Sequence, residues 1–585
     1  MRLVSLAERG KVGKWRWGWL GLSLGVALYF GGVTLGYLWR YPYIVQDDAR
    51  QHVVFLQQLV DAGLFANDWI AEYFTTVAPV GYKLLYMVAA KLGIAPLEFA
   101  KVLPLLLSLV TTVYLFGVCW QLLPIPLTGF LSTLILNQQL WLNDDLVSAT
   151  PRAFVYPIFV AFLYYLLRQS LLACLVTIVL QGLFFPQLVL VQMIVLLLRL
   201  WRWPNRPSQR WGMRLGWLAR LGWQGSESKA DYQFAFWGLL TAGLVLLPYA
   251  LTVTKFGGAI TVEQMRMMPE YGLQGRNEYF GVSGWQFWLL GNSGIRVPVF
   301  PSIILAGCAL PMLRRSQWPL MAAVSEQIKL LGQVLLASLI LYGAAHLLLL
   351  KLHFPSRYTY HTLRIILAIA AAIVLTVLLD AGWRWLRYKQ RIQSRLTNQD
   401  RGFLALIAFL TAVVIVVPAL PFLFLRFQGW VIGEAPSLYQ YLAAQPQSTL
   451  VASLDPEASN LPAFTQRSTL MGREFALPHH PIYYQQFQQR VIDLIGAQYS
   501  LDSSVPSQFI EQYDINFFLI GRSAFTPAYL NQDWLIHSSF QDLVRQVAQQ
   551  LEQGRQPVLL QTIPKCQVAA SEKLILLDAV CVQQF

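Results

Sequence analysis

The chain has 585 residues, of which 56% are hydrophobic and only 13% charged, against roughly 25% charged in soluble globular proteins. Its apolar residues come in runs of about 20, the length that crosses a bilayer core, so a soluble protein is excluded and a multi-pass membrane protein is expected. The net charge of +14 does not point to nucleic acid, because no folded basic module is visible; most of the excess lies in short loops beside apolar runs, where it sets orientation.

Arg2, Arg9, Lys11, Lys14 and Arg16 precede an apolar run at 17–38. That run is longer than the core of a cleaved signal peptide, about 7–15 residues. It reads as a retained anchor, span 1 at 17–39, with a cytoplasmic N-terminus. A long first external loop follows at 40–95. Within it, 49–65 places Val53, Val54, Leu56, Leu59, Val60 and Leu64 at helical spacing, which predicts an amphipathic helix lying on the membrane. The segment 81–92 reads as a second interfacial helix rather than a span. Further spans are predicted at 97–121, 124–141, 153–168, 170–185, 187–200, 233–252, 296–312, 330–350, 362–381 and 403–425, about 11 in all. Dense Lys/Arg clusters, at 199–229, at Arg314 and Arg315 and at 384–395, fall on the side of the N-terminus. Both acidic pairs, Asp47–Asp48 and Asp144–Asp145, fall on the opposite side, as the positive-inside rule requires.

After a short linker near 426–436 the composition turns polar. Short β-prone runs at 449–454, 516–520, 558–563 and 574–580 alternate with helical patterns at 482–497 and 540–551. The expected fold is therefore mainly α, a polytopic membrane helix bundle in 1–428 with a C-terminal extracytoplasmic α/β domain in 429–585. Cys566 and Cys581 either pair in an oxidising compartment or stay free thiols. No Cys/His spacing resembles a zinc site.

Four segments on the external side concentrate polar residues: Asp47 and Asp48 with Arg50 and His52; Asp144 and Asp145 with Arg152; 263–278 with Glu263 and Arg266; and 353–364 with Arg357, Tyr358, His361 and Arg364. Adjacent carboxylates near an apolar surface raise one another's proton affinity, which suits one of them as general base for a hydroxyl. Planar Arg forks on other loops suit phosphate oxygens. Blander roles stand beside these. An aspartate of the first pair caps a helix that starts at Ala49, Asp144–Asp145 is a solvated loop, the arginines snorkel at the interface, and 263–278 is an exposed loop.

A cytoplasmic N-terminus, one span and then an acidic pair opening a long external loop resembles the type C (GT-C) membrane glycosyltransferases, over about 15–425 of the chain. The nearest flavour is the dolichyl-phosphate-mannose-protein mannosyltransferase-like and aminoarabinose-transferase-like group. The phrases Ala-Thr-Pro-Arg-Ala-Phe (149–154) and Pro-Ser-Arg-Tyr-Thr (355–359) look like cyanobacterial members. The resemblance implies transfer of a sugar from a polyprenyl-phosphate carrier to a hydroxyl of a glycan, lipid or protein acceptor, on the outer face of a bacterial plasma membrane. Asp47 or Asp48 would be the base and Asp144 or Asp145 a second acidic site. Arg357, Arg364 and Arg152 would meet the donor phosphate. The family often has Asp-Glu or a lone Asp at the first-loop position, so the resemblance does not choose between Asp47 and Asp48. Some relatives hold a divalent metal ion near these acids and others do not, which leaves the metal open. A transporter or flippase for a lipid-linked sugar is a second class, although most ionisable residues here sit at span ends rather than deep within spans. An inactive GT-C scaffold is a third.

Overall fold

Helix α1 (Arg9–Leu38) leads into a three-residue strand β1 (Ile44–Gln46) and a four-residue helix α2 (Ala49–His52). The computed structural model describes residues 9–202, 224–225, 229–251, 254–313, 316–349, 351–393, 397–532 and 534–585. Arg2, the stretch 206–220, Arg314, Arg315 and Arg395 of the expected basic clusters lie outside these residues. The bundle continues with α3 (Trp69–Val77), α4 (Val80–Lys91), α5 (Pro96–Leu122), α6 (Pro126–Trp141), α7 (Asp144–Val147), α8 (Val155–Leu167), α9 (Leu171–Phe184), α10 (Gln187–Arg199) and α11 (Lys229–Leu251). It closes with α12 (Val262–Met267), α13 (Gly284–Leu289), α14 (Lys329–Leu347), α15 (Ser356–Gln393), α16 (Asn398–Val416) and α17 (Pro421–Phe427). Pro96 and Pro126 open α5 and α6, where a missing N–H costs nothing.

Among the described residues, six segments, built on α1, α5, α11, α14, α15 and α16, are long and apolar enough to cross a membrane. The protein is an integral membrane protein. The expected spans at 153–168, 170–185 and 187–200 are the shorter apolar helices α8, α9 and α10, each about 20 Å long. Helix α4 has 12 residues, about 18 Å, too short for a core of about 30 Å. Its Val80, Leu84 and Val88 form an exposed stripe, while Tyr82, Tyr86 and Ala89 pack inward.

Three expectations within 49–364 are corrected. The 49–65 helix is not one amphipathic helix on the membrane. It breaks into α2 and a 3₁₀ turn, Val54–Leu59. Val53 and Leu56 bury into the helix bundle, whereas Val54, Phe55 and Leu64 bury against the C-terminal region. The apolar spacing served two protein layers rather than one lipid surface. The span expected at 296–312 begins later, as a 3₁₀ helix at Ser302–Met312, because Pro298 and Pro301 hold the preceding residues extended. It packs on α15 at Gly307, where a Cβ would stand 2.7 Å from the Leu367 carbonyl. Helix α15 itself starts at Ser356 and runs 38 residues, so Arg357 to Arg364 belong to a helix and not to a loop.

The segment expected as a linker holds β2 (Trp430–Ile432), antiparallel to β1 in the register Ile44↔Ile432 and Gln46↔Trp430. Beyond it, β3 (Leu450–Ala452), β4 (Ser468–Thr469), β5 (Phe517–Gly521), β6 (Gln567–Ala570) and β7 (Leu574–Asp578) form one sheet in the order β4-β3-β5-β7-β6. β3 runs parallel to β4 and β5; β7 is antiparallel to β5 and β6. Helices Pro481–Tyr499 and Gln541–Glu552 match the helical patterns. The run 558–563, expected as a strand, lies in helix Val558–Cys566. Its buried residues, Val558, Leu559, Thr562 and Cys566, recur at helical rather than alternating spacing.

Cys566 and Cys581 are disulfide-bonded across 15 residues of sequence. Closing a loop of that length restricts the unfolded chain by about 3 kcal/mol. Cys581→Ser is therefore expected to lower the unfolding midpoint of the C-terminal region, and only under non-reducing conditions. An unchanged denaturant midpoint would show that the bond carries no stability.

Candidate active site

The β1–β2 pair sets the position of the first acidic pair. The Asp47 N–H continues the ladder to the Gly429 carbonyl at 2.9 Å. Gly429 has φ +68°, and a Cβ there would meet Gln46 Nε2 at 3.1 Å. The same hypothetical atom would lie 3.6 Å from Asp47 Cβ and 3.7 Å from Asp144 Cβ. Gly429 thus lies between the two acidic segments, in a left-handed backbone conformation that favours glycine.

The expected cap is not an aspartate. Gln46 Oε1 accepts from the N–H groups of Asp48 (2.8 Å) and Ala49 (3.3 Å), and the Asp48 side chain makes no cap. Both carboxylates are thereby free for other partners, and they turn to different ones. Asp47, 45% exposed, pairs with Arg50. Arg50 also donates to Asn460 Oδ1 at 2.8 Å and lies 3.3 Å from Glu474. Glu474 in turn pairs with Arg276 at 2.8 Å. The C-terminal region therefore holds the arginine that holds Asp47.

Asp48 pairs with Arg152. The same guanidinium lies 3.0 Å from Asp144 and 3.5 Å from Asp145. Arg152 reaches them from the turn between α7 and α8, where Ala149 has φ +53° and Ser148 and Thr150 share a hydroxyl hydrogen bond of 2.8 Å. Asp145 is also paired with Arg364 at 2.6 Å, their side chains 2% and 4% exposed. Arg364 donates further to Tyr156 (2.9 Å) and Asn143 (2.9 Å).

The early start of α15 explains this convergence. Arg357, Tyr360, His361 and Arg364 stand at positions i, i+3, i+4 and i+7 on one helix face. Tyr360 is sandwiched between Arg364 at 3.7 Å and Arg296 at 4.0 Å. His361 Nδ1 lies 3.0 Å from the Tyr156 hydroxyl.

The mutual effect of neighbouring carboxyls appears at the second acidic pair. Burial, then the Asp145 charge, raises the Asp144 carboxyl to about 6. Asp144 keeps an opening to solvent, with 41% of its side chain exposed, yet enough protein surrounds it for burial to lead. For Asp145, burial would raise the carboxyl, but Arg364 outweighs it and holds it below the usual carboxylate range. As pH falls through about 6, Asp144 becomes neutral and Arg152 is left with Asp48 and Asp145 as its charged partners.

A cavity of about 340 Å³ opens beside this network. Asn143, Gln139, Arg296, Tyr360 and Arg364 form its polar wall, and Leu290, Val297, Val299 and Phe300 its apolar one. All four apolar residues are exposed at the surface.

The remaining sequence candidates are placed elsewhere or act structurally. Glu263 and Arg266 sit exposed on α12 and form no ion pair among the described residues, so they do not join the site; Arg266 covers Phe280 at 5.7 Å. From that loop, Arg276 and Glu270 reach the C-terminal region instead, and Glu270 accepts from Tyr484 at 2.6 Å. Tyr358 is buried and bonds the Leu352 carbonyl. His52 is held down to about 4 by burial and then by Arg357. Arg364 and Arg152, expected at the donor phosphate, are committed to carboxylates. Sequence reasoning missed Arg296, Asn143, Tyr156, Tyr360 and Glu474. The Val-Pro-Val-Phe-Pro run after Arg296 carried a usable signal, since prolines three apart exclude a helix there.

A divalent ion, which the resemblance leaves open, does not fit this donor set. Asp47, Asp48, Asp144 and Asp145 each face a guanidinium. Among the described residues no group of three or more His, Cys, Asp or Glu side chains is placed to hold a metal ion.

No protein-family profile and no curated protein sequence matches the chain. Solved structures do. The archaeal oligosaccharyltransferase AglB from Archaeoglobus fulgidus, in complex with an inhibitory peptide and a dolichol-phosphate, superposes with a TM-score of 0.53 at 10% identity, over 91% of this chain and 72% of that chain. An Archaeoglobus fulgidus oligosaccharyltransferase tethered to an acceptor peptide containing the NVT sequon superposes at 0.52 and 11% identity, with the same coverage. ArnT from Cupriavidus metallidurans in the apo state gives 0.45 at 12% identity, over 97% of this chain and 98% of that one. The oligosaccharyltransferase superpositions, at such low identity, speak to architecture alone, and that architecture is the GT-C fold of membrane glycosyltransferases.

Proposed function

We propose that the protein is a glycosyltransferase that moves a sugar from a polyprenyl-phosphate carrier to an acceptor hydroxyl, with Asp47 as the general base. The observation that carries this is a half-open carboxylate, Asp47, set beside Asp144, next to a cavity lined by Arg296 and Arg364 and by exposed apolar residues. The acceptor O–H gives its proton to Asp47, and the oxygen attacks the anomeric carbon. The bond from that carbon to the phosphate oxygen breaks, and the polyprenyl phosphate leaves with the electron pair. Asp47 suits the base better than Asp48, because it is the more exposed of the two. Arg296 and Arg357 suit the phosphate, because neither forms an ion pair among the described residues. The apolar residues at the cavity mouth suit a prenyl chain. AglB was solved with a dolichol-phosphate, a ligand of the same chemical class. The Cys566–Cys581 bond supports an extracytoplasmic C-terminal region.

The test is transfer from a radiolabelled polyprenyl-phosphate sugar by the purified protein in nanodiscs. Arg296→Ala is expected to raise the donor KM by about 10-fold or more, the loss of one charge-assisted contact, while the exposed loop leaves the melting temperature in place. Movement of the lipid-linked sugar across sealed vesicles without any transfer would replace the enzyme with a flippase.

A further inference from the structure

The acids of this site surround an arginine in the manner of ligands around a metal. Arg152 is ion-paired to Asp48, lies 3.0 Å from Asp144 and 3.5 Å from Asp145, and joins the first external loop to the second acidic segment through one guanidinium. We propose that Arg152 is the resident cation of the site, replacing a bound divalent ion, and that the protein works without such a metal. The inference rests on the transfer site proposed above for its catalytic meaning, though not for its charge balance. Asp48, Asp144 and Asp145 face Arg152 and Arg364, so the cluster carries a single negative charge in excess. A divalent ion entering it would have to expel a guanidinium from three carboxylates and leave that cation partly buried and unpaired, which is strongly unfavourable. Removing Arg152 reverses the balance. Three carboxylates from two segments would then keep one ion pair, Asp145 with Arg364, with Arg296 further off, an oxygen-rich setting that suits manganese or magnesium. Arg152 acts through the acids it holds and is a positioning residue.

The experiment measures manganese(II) binding to the purified full-length protein by the loss of the free-ion EPR signal, with no sugar donor present. The wild type and Arg152→Lys are expected to leave the signal undiminished. Arg152→Ala is expected to take up one ion per chain, and the double variant Arg152→Ala/Asp144→Asn to lose it again. In the transfer assay, chelator leaves the wild type unchanged. Arg152→Ala loses about 10²–10³-fold and recovers at least about 10-fold of that loss with manganese or guanidinium added. Stoichiometric manganese binding by the wild type that Asp144→Asn abolishes would overturn the proposal. So would a folded Arg152→Ala protein, judged by a cooperative melt, that takes up no manganese. If Arg152→Ala does not fold, the wild-type and Arg152→Lys arms decide alone. A wild type that binds no manganese and transfers no sugar would overturn the proposed function and leave the cation assignment standing.

Discussion

Asp47→Asn is expected to lower sugar transfer by about 10²–10⁴-fold, the usual contribution of a positioned proton acceptor, with kcat falling and the donor KM nearly unchanged. Asparagine keeps the shape of the side chain and loses the ability to take the acceptor proton. Arg50 stays in place, because Asn460 and Glu474 hold it from the C-terminal region. The site therefore keeps its geometry and loses one chemical step. Asp48→Asn is expected to cost much less. Its carboxylate holds Arg152, and Arg152 retains Asp144 and Asp145. Steady-state kinetics of the two variants side by side separates the roles. Equal losses, or a larger loss in Asp48→Asn, would move the base to Asp48.

The second large effect is on stability. Arg364 and Asp145 form the most buried ion pair of the network. Removing one partner of such a pair leaves an uncompensated buried charge and costs about 3–5 kcal/mol. Asp145→Ala leaves Arg364 with Tyr156 and Asn143, neutral groups that cannot balance it. Arg364→Ala leaves Asp145 with the neutral Tyr156 hydroxyl at 3.2 Å and the Arg152 guanidinium at 3.5 Å. Each single variant is expected to unfold at markedly lower denaturant or temperature. The double variant is expected to be less destabilised than the two single losses combined, as for any directly coupled pair. Arg364 was expected from the sequence to bind donor phosphate. That role would instead appear as a raised donor KM with no change in the melt, so one pair of measurements decides between the two.

Much of the molecule was legible in the residues because it rests on local pattern. Hydropathy over a window of about 20 residues reports whether a segment prefers lipid; it marked α1, α5, α11 and α14 within a few residues and found α15 and α16 without their ends. Helix periodicity found Pro481–Tyr499 and Gln541–Glu552. It failed at 49–65, where alternate residues of a broken helix pack on different layers. A pattern of burial does not say what covers the buried side. At 558–563 a short apolar run served helix and strand equally, and the packing of Val558, Leu559, Thr562 and Cys566 chose the helix.

By itself the sequence determined that this is a multi-pass membrane protein with a polar α/β C-terminal region, and that Asp47–Asp48 and Asp144–Asp145 fall on a common side. Those conclusions depend on composition, run length and the placement of charge along the chain. Only the tertiary structure decided the partner of each acid: Arg50 for Asp47, Arg152 for Asp48, Arg364 for Asp145. It also decided that the β1–β2 pairing and Gly429 bring Asp47 beside Asp144. The physical reason is distance in sequence. Asp48 and Arg152 are 104 residues apart, and Asp145 and Arg364 are 219 apart. An ion pair depends on a few ångströms in space, a quantity that periodicity along the chain does not encode.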